Sequence, residues 1–251
     1  MKIVVIGGHG RIGSKIVATL TGHGHDALAA DPSTGLNTLT GEGFAEAFAG
    51  ADVVVDVSNS PSFADDDVME FFTTSTRNIL AAEQVAGVGH HVALSIVGAD
   101  RLPDSGYLRA KVAQEKLIEA GPVPYTILRS TQFFEFVEAI TAAASEGDTI
   151  RVPAANIQPV AAEDAARAAG RLAAGEPVNG IVEVGGPTPY SFAELVRSDL
   201  SAHDDPRAVV ADADAEYFGT KLTDGELLPG EHAQIGELRF EDWLAALTTT
   251  R

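Results

Sequence analysis

Short apolar runs alternate along the chain with segments in which apolar residues recur at helical spacing. The runs are rich in valine, isoleucine and alanine, as is typical of buried parallel strands, and they cover residues 1–6, 25–30, 52–57, 90–97 and a segment entered at 122–129. The first helical segment carries Ile12, Ile16, Val17 and Leu20 on one face. Such alternation is characteristic of α/β proteins, and it predicts a doubly wound parallel sheet.

The same pattern divides the chain into two parts. Further helices are predicted at residues 41–50, 65–85, 107–119, 134–140, 165–174 and 190–200, and a further strand at 180–185. Gly186 and Pro187 are predicted to end the α/β core, since both residues favour a turn. We therefore expect a core at residues 1–187 and a small C-terminal substrate lobe at 188–251, with residues 131–148 contributing to that lobe.

A glycine-rich turn joins the first strand to the first helix. Gly7, Gly10 and Gly13 have the spacing G-x-x-G-x-x-G, and Arg11 and Ile12 lie between the last two glycines. Glycines permit a tight turn and let the backbone approach a pyrophosphate, while amide groups at the helix N-terminus point toward it. The order of strand, turn and helix therefore predicts a dinucleotide site. The alternative is an ordinary turn that needs glycine only for its backbone.

This spacing resembles that of the short-chain dehydrogenase/reductase superfamily, especially its atypical and extended members. The resemblance implies a Rossmann-type fold with a nicotinamide dinucleotide as cofactor. Asp31 is placed to accept hydrogen bonds from the adenosine ribose, which favours NAD, although before Pro32 it can instead only open a turn. Arg11 favours NADP, because its guanidinium can reach a 2′-phosphate from within the turn. We predict NADP, with NAD as the alternative.

Two small polar residues leave the carboxyl end of the strand at 52–57. They are Ser58 and Asn59. Ligands of open α/β sheets bind at the carboxyl edge, so we predict that these side chains line the adenine or the ribose. A plain loop is the alternative.

Candidate catalytic residues surround the start of the helix at 107–119. Ser95 lies near the carboxyl end of the preceding strand, and Tyr107 and Lys111 are four residues apart on one helix face. A tyrosine can protonate the oxyanion formed by hydride transfer if a nearby ammonium lowers its pKa from about 10. We expect Lys111 to do so and to hold the nicotinamide ribose, and Ser95 to donate to the same oxygen. The set resembles the catalytic Ser, Tyr and Lys of short-chain dehydrogenases; the alternative is a helix surface.

A second motif resembles the NmrA-like branch of atypical short-chain dehydrogenases. Glu115 and Lys116 continue the helix, and P-Y-T-I-L-R at residues 124–129 enters the next strand. The branch includes NADPH-dependent reductases and non-catalytic redox sensors, and its tyrosine is often replaced whereas its lysine is commonly kept. This chain has both, which favours catalysis. Phe133 and Phe134 stand where the resemblance places the substrate lobe; we predict that they contact substrate, with core packing as the alternative.

Composition narrows the range of partners. Acidic residues number 36 and basic residues 17, a net charge of −19, so we expect binding neither to nucleic acid nor to a membrane. The chain has no cysteine, which excludes disulfides, thiolate zinc sites and cysteine nucleophiles. The histidines lack ligand spacing, and the aspartates at 65–67 suit a helix start, so no metal is expected. The short N-terminal apolar run fits no signal peptide, and we expect a cytoplasmic protein. Homo-oligomerisation is left open.

These observations favour an NAD(P)H-dependent oxidoreductase that reduces a carbonyl or related unsaturated group of a small molecule. A second hypothesis is a non-catalytic NAD(P)-binding redox sensor. The NmrA-like motif favours this hypothesis, whereas the presence of both Tyr107 and Lys111 argues against it. A third is a nucleotide-sugar epimerase or dehydratase, although no obvious basic cluster for a substrate diphosphate is present in the C-terminal part of the sequence.

Overall fold

A computed structural model describes residues 1–249 of the chain. The strands are, in chain order, β1 (Lys2–Ile6), β2 (Asp26–Ala30), β3 (Val53–Asp56), β4 (His90–Ile96), β5 (Tyr125–Ser130), β6 (Ser145–Glu146), β7 (Thr149–Pro153), β8 (Asn156–Ile157), β9 (Gly180–Gly185), β10 (Tyr190–Ser191), β11 (Ala208–Asp212), β12 (Glu216–Tyr217), β13 (Thr220–Lys221) and β14 (Gln234–Ile235). Seven of them form one parallel sheet in the order β14-β9-β5-β4-β3-β1-β2. The predicted α/β fold with a parallel sheet is confirmed.

Helices cover both faces of this sheet. They are α1 (Gly13–Gly22), α2 (Phe44–Phe48), α3 (Asp65–Ala86), α4 (Gly106–Glu119), α5 (Val137–Ala143), α6 (Ala162–Ala173), α7 (Phe192–Ala202) and α8 (Phe240–Thr249). Side chains of a strand alternate between faces. Accordingly Ile3 and Val5 of β1 pack with α1 and α6, while Val4 and Ile6 pack with α2 and α3. Among residues 1–249, no helix combines the length and the apolar character needed to span a membrane.

The strand order reverses beside β1. The chain passes from β1 to β2 on one side and then crosses to β3 on the other. Ligands of open parallel sheets bind in the crevice that forms at such a switch point, outside the carboxyl ends of the strands. The glycine turn after β1 and the polar residues after β3 both lie at this edge, as the sequence predicts.

A smaller lobe is built on the carboxyl side of the sheet. It contains a three-stranded sheet in the order β11-β7-β6 and a hairpin of β12 and β13. Its core is centred on the buried rings of Phe134, Phe192 and Phe240. The structure differs from the predicted division at residue 187 in two respects. The strand β7, which precedes residue 187, belongs to the lobe, and β14, which follows it, pairs at the edge of the main sheet. Two-residue strands such as β14 are too short for an apolar pattern to reveal.

Candidate cofactor and active site

The glycine turn has the geometry that its sequence demands. Gly7 has a positive φ of 76°, and its carbonyl accepts a hydrogen bond from the Gly10 N–H at 2.9 Å. A Cβ on Gly13 would lie 2.1 Å from the Gly7 carbonyl oxygen, so a side chain there would open the turn. Gly10 is exposed and meets no atom closer than that same oxygen, 3.1 Å from an ideal Cβ. Gly7 and Gly13 therefore shape the turn, whereas the face at Gly10 is left open.

A fourth glycine, Gly8, which the spacing argument missed, lets the turn pack closely against β2. A Cβ at Gly8 would come within 2.6 Å of the Cα of Ala29. The doublet Gly7-Gly8 was the available signal, since only one of the two is needed for the spacing itself.

The N-terminus of α1 suits an anion. Ile12 occupies the N-cap position, no side chain caps the helix, and its first turn carries no acidic residue. By contrast, the first turn of α3 carries three aspartates, Asp65, Asp66 and Asp67, as predicted for a helix start. Helix N-termini carry partial positive charge and unpaired amides. The N-terminus of α1, unlike that of α3, therefore fits a pyrophosphate.

Asp31 directly follows β2, and its carboxylate is hydrogen-bonded by neighbouring residues. Its carboxylate accepts hydrogen bonds from the Ser33 amide and hydroxyl and lies 2.6 Å from Nδ1 of His9. Burial opposes ionisation, but the hydrogen bonds from Ser33 and His9 outweigh it and lower the pKa of Asp31 to about 2. Asp31 is thus ionised at neutral pH beside the glycine turn. It also opens the turn at Pro32–Thr34, the alternative that the sequence left open.

Arg11 reaches across to the lobe. Its Nη1 donates a hydrogen bond of 3.0 Å to the carbonyl oxygen of Glu135. In this arrangement the guanidinium links the glycine turn to the lobe. Among the described residues, it makes no hydrogen bond to Asp31. Its predicted role at a 2′-phosphate stays a prediction.

The loop after β3 meets the glycine turn. A Cβ on Gly7 would lie 3.0 Å from the carbonyl oxygen of Val57 and 3.2 Å from the Cα of Ser58. Ser58 is fixed by Asp56, whose Oδ1 accepts hydrogen bonds from the Ser58 amide at 2.9 Å and hydroxyl at 2.6 Å. Asn59 follows and is exposed. The structure therefore brings the predicted cofactor residues of two loops to one crevice.

Tyr107 stands at the same crevice. It lies in the first turn of α4, which Ser105 caps, and its hydroxyl donates to Oδ1 of Asn59 at 2.9 Å. The ring packs against those of Phe63 and Phe72, with centroids 5.6 and 5.8 Å away. Partial burial raises the pKa of Tyr107 to about 12, and the hydrogen bond to Asn59 offsets only part of this effect. Tyr107 is therefore a protonated hydroxyl at neutral pH, with a proton to donate.

Lys111 is buried one turn further along α4. Its Nζ donates to the carbonyl oxygen of Leu94 at 2.9 Å and to Oε1 of Gln114, and it lies 4.4 Å from the centre of the Phe72 ring. Burial lowers the pKa of Lys111 to about 8, and the carboxylates of Asp56 and Glu115 offset part of this effect.

The expectation that Lys111 lowers the pKa of Tyr107 is wrong for this structure. The pKa of Tyr107 is raised to about 12, because burial outweighs the hydrogen bond to Asn59. The physical reason is that the ammonium turns toward Leu94 and Gln114 instead of the phenol oxygen. The two side chains instead contact the same ring, that of Phe72.

Ser95 lies in a different polar cluster. Its hydroxyl donates to Oε1 of Glu115 at 2.5 Å, and Glu115 also receives two hydrogen bonds from Arg129. Asp100 binds the other side of that guanidinium at 3.0 Å. Ser95 is buried, and its hydroxyl is hydrogen-bonded to this ion pair and not to the hydroxyl of Tyr107. Its predicted catalytic role therefore requires that it exchange Glu115 for a substrate oxygen.

The two predicted substrate residues have different surroundings. Phe134 is 1% exposed and packs against the rings of Phe240 and Trp243, with centroids 5.1 and 5.7 Å away. Its position is that of a core residue, the alternative that the sequence left open. Phe133 is partly exposed and packs at the margin of the core that contains α1 and α6. Its contact with substrate stays a prediction.

Other aromatic side chains, which sequence reasoning missed, lie beside Tyr107 and in the hairpin of the lobe. Phe63 is 67% exposed beside Tyr107. Tyr217 is buried in the hairpin of the lobe, where its ring packs against those of Phe192 and Phe218. The next residue, Phe218, stacks on Phe136 with centroids 5.5 Å apart and has a φ of 46°, which is unfavourable for a bulky side chain. Phe63 therefore gives the crevice an exposed aromatic surface beside Tyr107.

Comparison with known proteins agrees with this geometry. A family model described as NAD(P)H-binding matches residues 7–165. Among curated proteins no significant match is found.

Solved structures share the fold at low sequence identity. An NADPH-dependent quinone oxidoreductase from Escherichia coli superimposes with a TM-score of 0.70 at 16% identity, over 98% of this chain and 99% of that one. A short-chain dehydrogenase/reductase superfamily protein from Agrobacterium tumefaciens with bound NAD gives 0.73 at 17% identity, over 100% and 97%. MoeE5 in complex with UDP-glucuronic acid and NAD gives 0.76 at 18% identity, over 100% and 99%.

Proposed function

Since this chain belongs to the NAD(P)H-binding family, we propose that it is an oxidoreductase that transfers a hydride from the reduced dinucleotide to a carbonyl or related unsaturated group. The observation that carries the proposal is the hydroxyl of Tyr107, protonated at neutral pH and hydrogen-bonded to Asn59 at the crevice where the glycine turn lies. The resemblance to the NmrA-like branch is part of this proposal.

The residues fit a bound dinucleotide. Gly10 and the N-terminus of α1 would hold the pyrophosphate, while Ser58 and Asn59 would line the adenosine side. When bound, the reduced nicotinamide supplies the hydride. Tyr107 then donates its hydroxyl proton to the substrate oxygen, so that a carbonyl gains one hydride and one proton and becomes an alcohol. The tyrosinate left behind regains its proton from solvent.

Lys111 is proposed to hold the ribose next to the nicotinamide. An ammonium has three N–H donors. Within residues 1–249, two acceptors take hydrogen bonds from Lys111, namely Leu94 O and Gln114 Oε1. The third donor is available to a ribose hydroxyl, and the face of Phe72 beside it stabilises the charge.

The rate is expected to fall as the pH rises through about 8. Burial gives Lys111 a pKa of about 8, so its ammonium is present below that pH and is lost above it. Tyr107 keeps its proton to about pH 12 and contributes no decline in this range. The measurement is kcat/KM against pH. Lys111→Arg is the control, because arginine stays charged and should remove the decline. A wild-type rate that stays level across pH 8 would exclude this role of the ammonium.

The aromatic side chains at Tyr107 favour a flat, apolar substrate. Aromatic rings pack face to face or edge to face on one another, and pockets for small molecules are mostly apolar with few polar groups. Phe63 presents exposed aromatic surface beside Tyr107, and Phe72 packs on the same ring. We therefore propose a quinone or an aromatic carbonyl compound as substrate. The Escherichia coli neighbour is an NADPH-dependent quinone oxidoreductase, which agrees with this substrate class.

The charge of Asp31 bears on the choice of cofactor. NADP was predicted from Arg11, which in the structure contacts Glu135 instead. Asp31 is ionised at neutral pH and would repel a 2′-phosphate while accepting hydrogen bonds from a 2′-hydroxyl. On this ground we propose the alternative, NAD, as the preferred cofactor.

Asp31→Asn is expected to raise the affinity for NADPH relative to NADH about tenfold, because it removes one negative charge next to the 2′-position. The asparagine oxygen can still accept the Ser33 hydrogen bond. Dissociation constants of both dinucleotides measure the ratio, with Asp26→Asn at the amino end of the same strand as control. An unchanged ratio would remove Asp31 from cofactor selection.

The experiment that tests the proposed activity mixes the purified protein with NADH or NADPH and a panel of quinones, aromatic ketones, aldehydes and enones. Loss of reduced nicotinamide absorbance is followed for each pair. Turnover with flat quinones or aromatic carbonyls supports the proposal. Tight dinucleotide binding with no turnover across the panel would contradict it.

One observation favours a second candidate, a non-catalytic sensor of the dinucleotide. The hydroxyl of Tyr107 is hydrogen-bonded to Asn59, while the ammonium of Lys111 is hydrogen-bonded to Leu94 and Gln114 and not to that hydroxyl. A sensor would bind NADH and NAD with different affinities and would change shape between them. Equal structures with the two forms, together with turnover, would dismiss this candidate.

A further inference from the structure

Among residues 1–249, a single side chain accepts a hydrogen bond from the ammonium of Lys111. Gln114, one turn along α4, is buried and offers its Oε1 to Lys111 Nζ. The other bonded acceptor is the main-chain oxygen of Leu94 in β4. A main-chain oxygen is set by the sheet, whereas the position of Gln114 depends on what its own amide group contacts.

The amide of Gln114 is anchored on a buried carboxylate. Its Nε2 donates to Oδ2 of Asp56 at 3.1 Å. Asp56 is 2% exposed and is the last residue of β3, after three valines. A buried charge is costly unless it is hydrogen-bonded, and the amide N–H groups of Gln114 and Ser58 and the Ser58 hydroxyl provide those bonds.

The same carboxylate fixes the loop that carries the partner of Tyr107. Its other oxygen, Oδ1, holds Ser58 by both the amide and the hydroxyl. The next residue, Asn59, accepts the hydrogen bond from Tyr107. A chain of contacts therefore runs from Lys111 through Gln114 and Asp56 to the loop, and back to α4 at Tyr107.

We propose that Gln114 and Asp56 are positioning residues that form a buried bridge between the Lys111 ammonium and the loop at Ser58 and Asn59. The bridge sets the ribose-binding donor and the predicted adenosine-binding loop in one arrangement, so that a dinucleotide meets both at once. This inference rests on the proposed function for its kinetic consequence, but the bridge itself has a readout that needs no turnover.

That readout is the titration of Lys111. The charged groups that act on its ammonium are Asp56 of β3 and Glu115 of α4, while α3 contributes the uncharged ring of Phe72 and β4 a main-chain oxygen. Gln114→Leu removes an acceptor that favours the charged form, so Lys111 should lose its proton at lower pH than in the wild type. Gln114→Glu adds a carboxylate beside it, so Lys111 should lose its proton at higher pH.

The experiment follows the ε-methylene of Lys111 by carbon NMR in the full-length protein, with Lys111→Met to identify the signal. Opposite shifts of the titration midpoint in the two Gln114 variants support the bridge. With substrate, Gln114→Leu should also lower kcat/KM about tenfold to a hundredfold, the effect of a lost hydrogen bond to a charged group. Gln84→Leu, an exposed glutamine on α3, is the matched control and should change neither quantity.

Two results would overturn the bridge: wild-type titration in both Gln114 variants, or shifts in the same direction. Thermal unfolding confirms that each variant is folded. If Gln114→Leu does not fold, Asp56→Asn takes its place, since asparagine keeps the shape of the side chain and removes its charge. In Asp56→Asn the titration midpoint of Lys111 should fall and the affinity for the dinucleotide should weaken. Wild-type values of both quantities would equally reject the bridge. Opposite NMR shifts in a protein without turnover would reject the proposed activity but keep the bridge.

Discussion

Tyr107→Phe is expected to lower kcat by a factor of about 100 to 10,000, the usual contribution of a positioned general acid. The phenol hydroxyl is the proposed proton donor at the crevice, and phenylalanine keeps the ring but removes that hydroxyl. The affinity for the dinucleotide should change less than about threefold, because the hydroxyl is bonded to Asn59 and not to the glycine turn. Steady-state kinetics and equilibrium binding of the same preparation measure the two effects.

Tyr125→Phe is the matched control for this experiment. Tyr125 begins β5 and so lies at the amino edge of the sheet, away from the crevice. It should retain wild-type kcat. Equal rates for wild type and Tyr107→Phe would remove Tyr107 from the mechanism, whatever the behaviour of the control.

Gly10→Val is expected to weaken dinucleotide binding about a hundredfold or more. The backbone at Gly10 has no positive φ, and an ideal Cβ there would meet only the Gly7 oxygen, at 3.1 Å. The variant should therefore fold, but its side chain would stand on the open face of the turn and keep a pyrophosphate from the helix amides, whose hydrogen bonds to charged groups are strong. Isothermal titration with NADH and with NADPH measures the loss.

Gly22→Val places the same side chain at the other end of α1. A Cβ there meets nothing within 4 Å, so the dinucleotide affinity should stay at the wild-type value. If Gly10→Val is folded and binds the dinucleotide normally, the pyrophosphate lies elsewhere.

The parts of the site that the sequence predicted are those that depend on local pattern. The glycine turn is one strand-to-helix connection, and its spacing in that context predicts a close approach of backbone to ligand. The helix that carries Tyr107 and Lys111 is also predictable, because four residues along a helix share a face. The two side chains do share a face of α4 in the structure, around the ring of Phe72.

The parts that were missed depend on residues from separate elements. Phe72 comes from α3, Leu94 from β4 and Asp56 from β3, and together they decide where the Lys111 ammonium points. The spacing of residues along one helix cannot show that side chains from other elements meet at the ammonium. For that reason the prediction that Lys111 lowers the pKa of Tyr107 was wrong. A signal for Asp56 did exist, since a carboxylate directly after three valines of a buried strand requires partners.

The lobe was the least predictable region. Its strands β6, β8, β10, β12 and β13 have two residues each, below the length at which alternation can be recognised. Phe134 was assigned to substrate from its place after β5, but the aromatic residues that pack on it, Phe240 and Trp243, come from the end of the chain. Long-range packing of this kind separates core rings from exposed ones such as Phe63.

The central claim, hydride transfer at the Tyr107 crevice, is tested most directly with reduced dinucleotide that carries deuterium at the transferable position of the nicotinamide. The purified protein is incubated with this cofactor and a quinone or aromatic carbonyl, and the product is analysed by mass spectrometry in parallel with Tyr107→Phe. The account predicts a reduced product formed by the wild type and nearly absent with Tyr107→Phe, carrying deuterium where the acceptor is a carbonyl carbon. Reduced carbonyl product without deuterium, or product formed equally by both proteins, would contradict it.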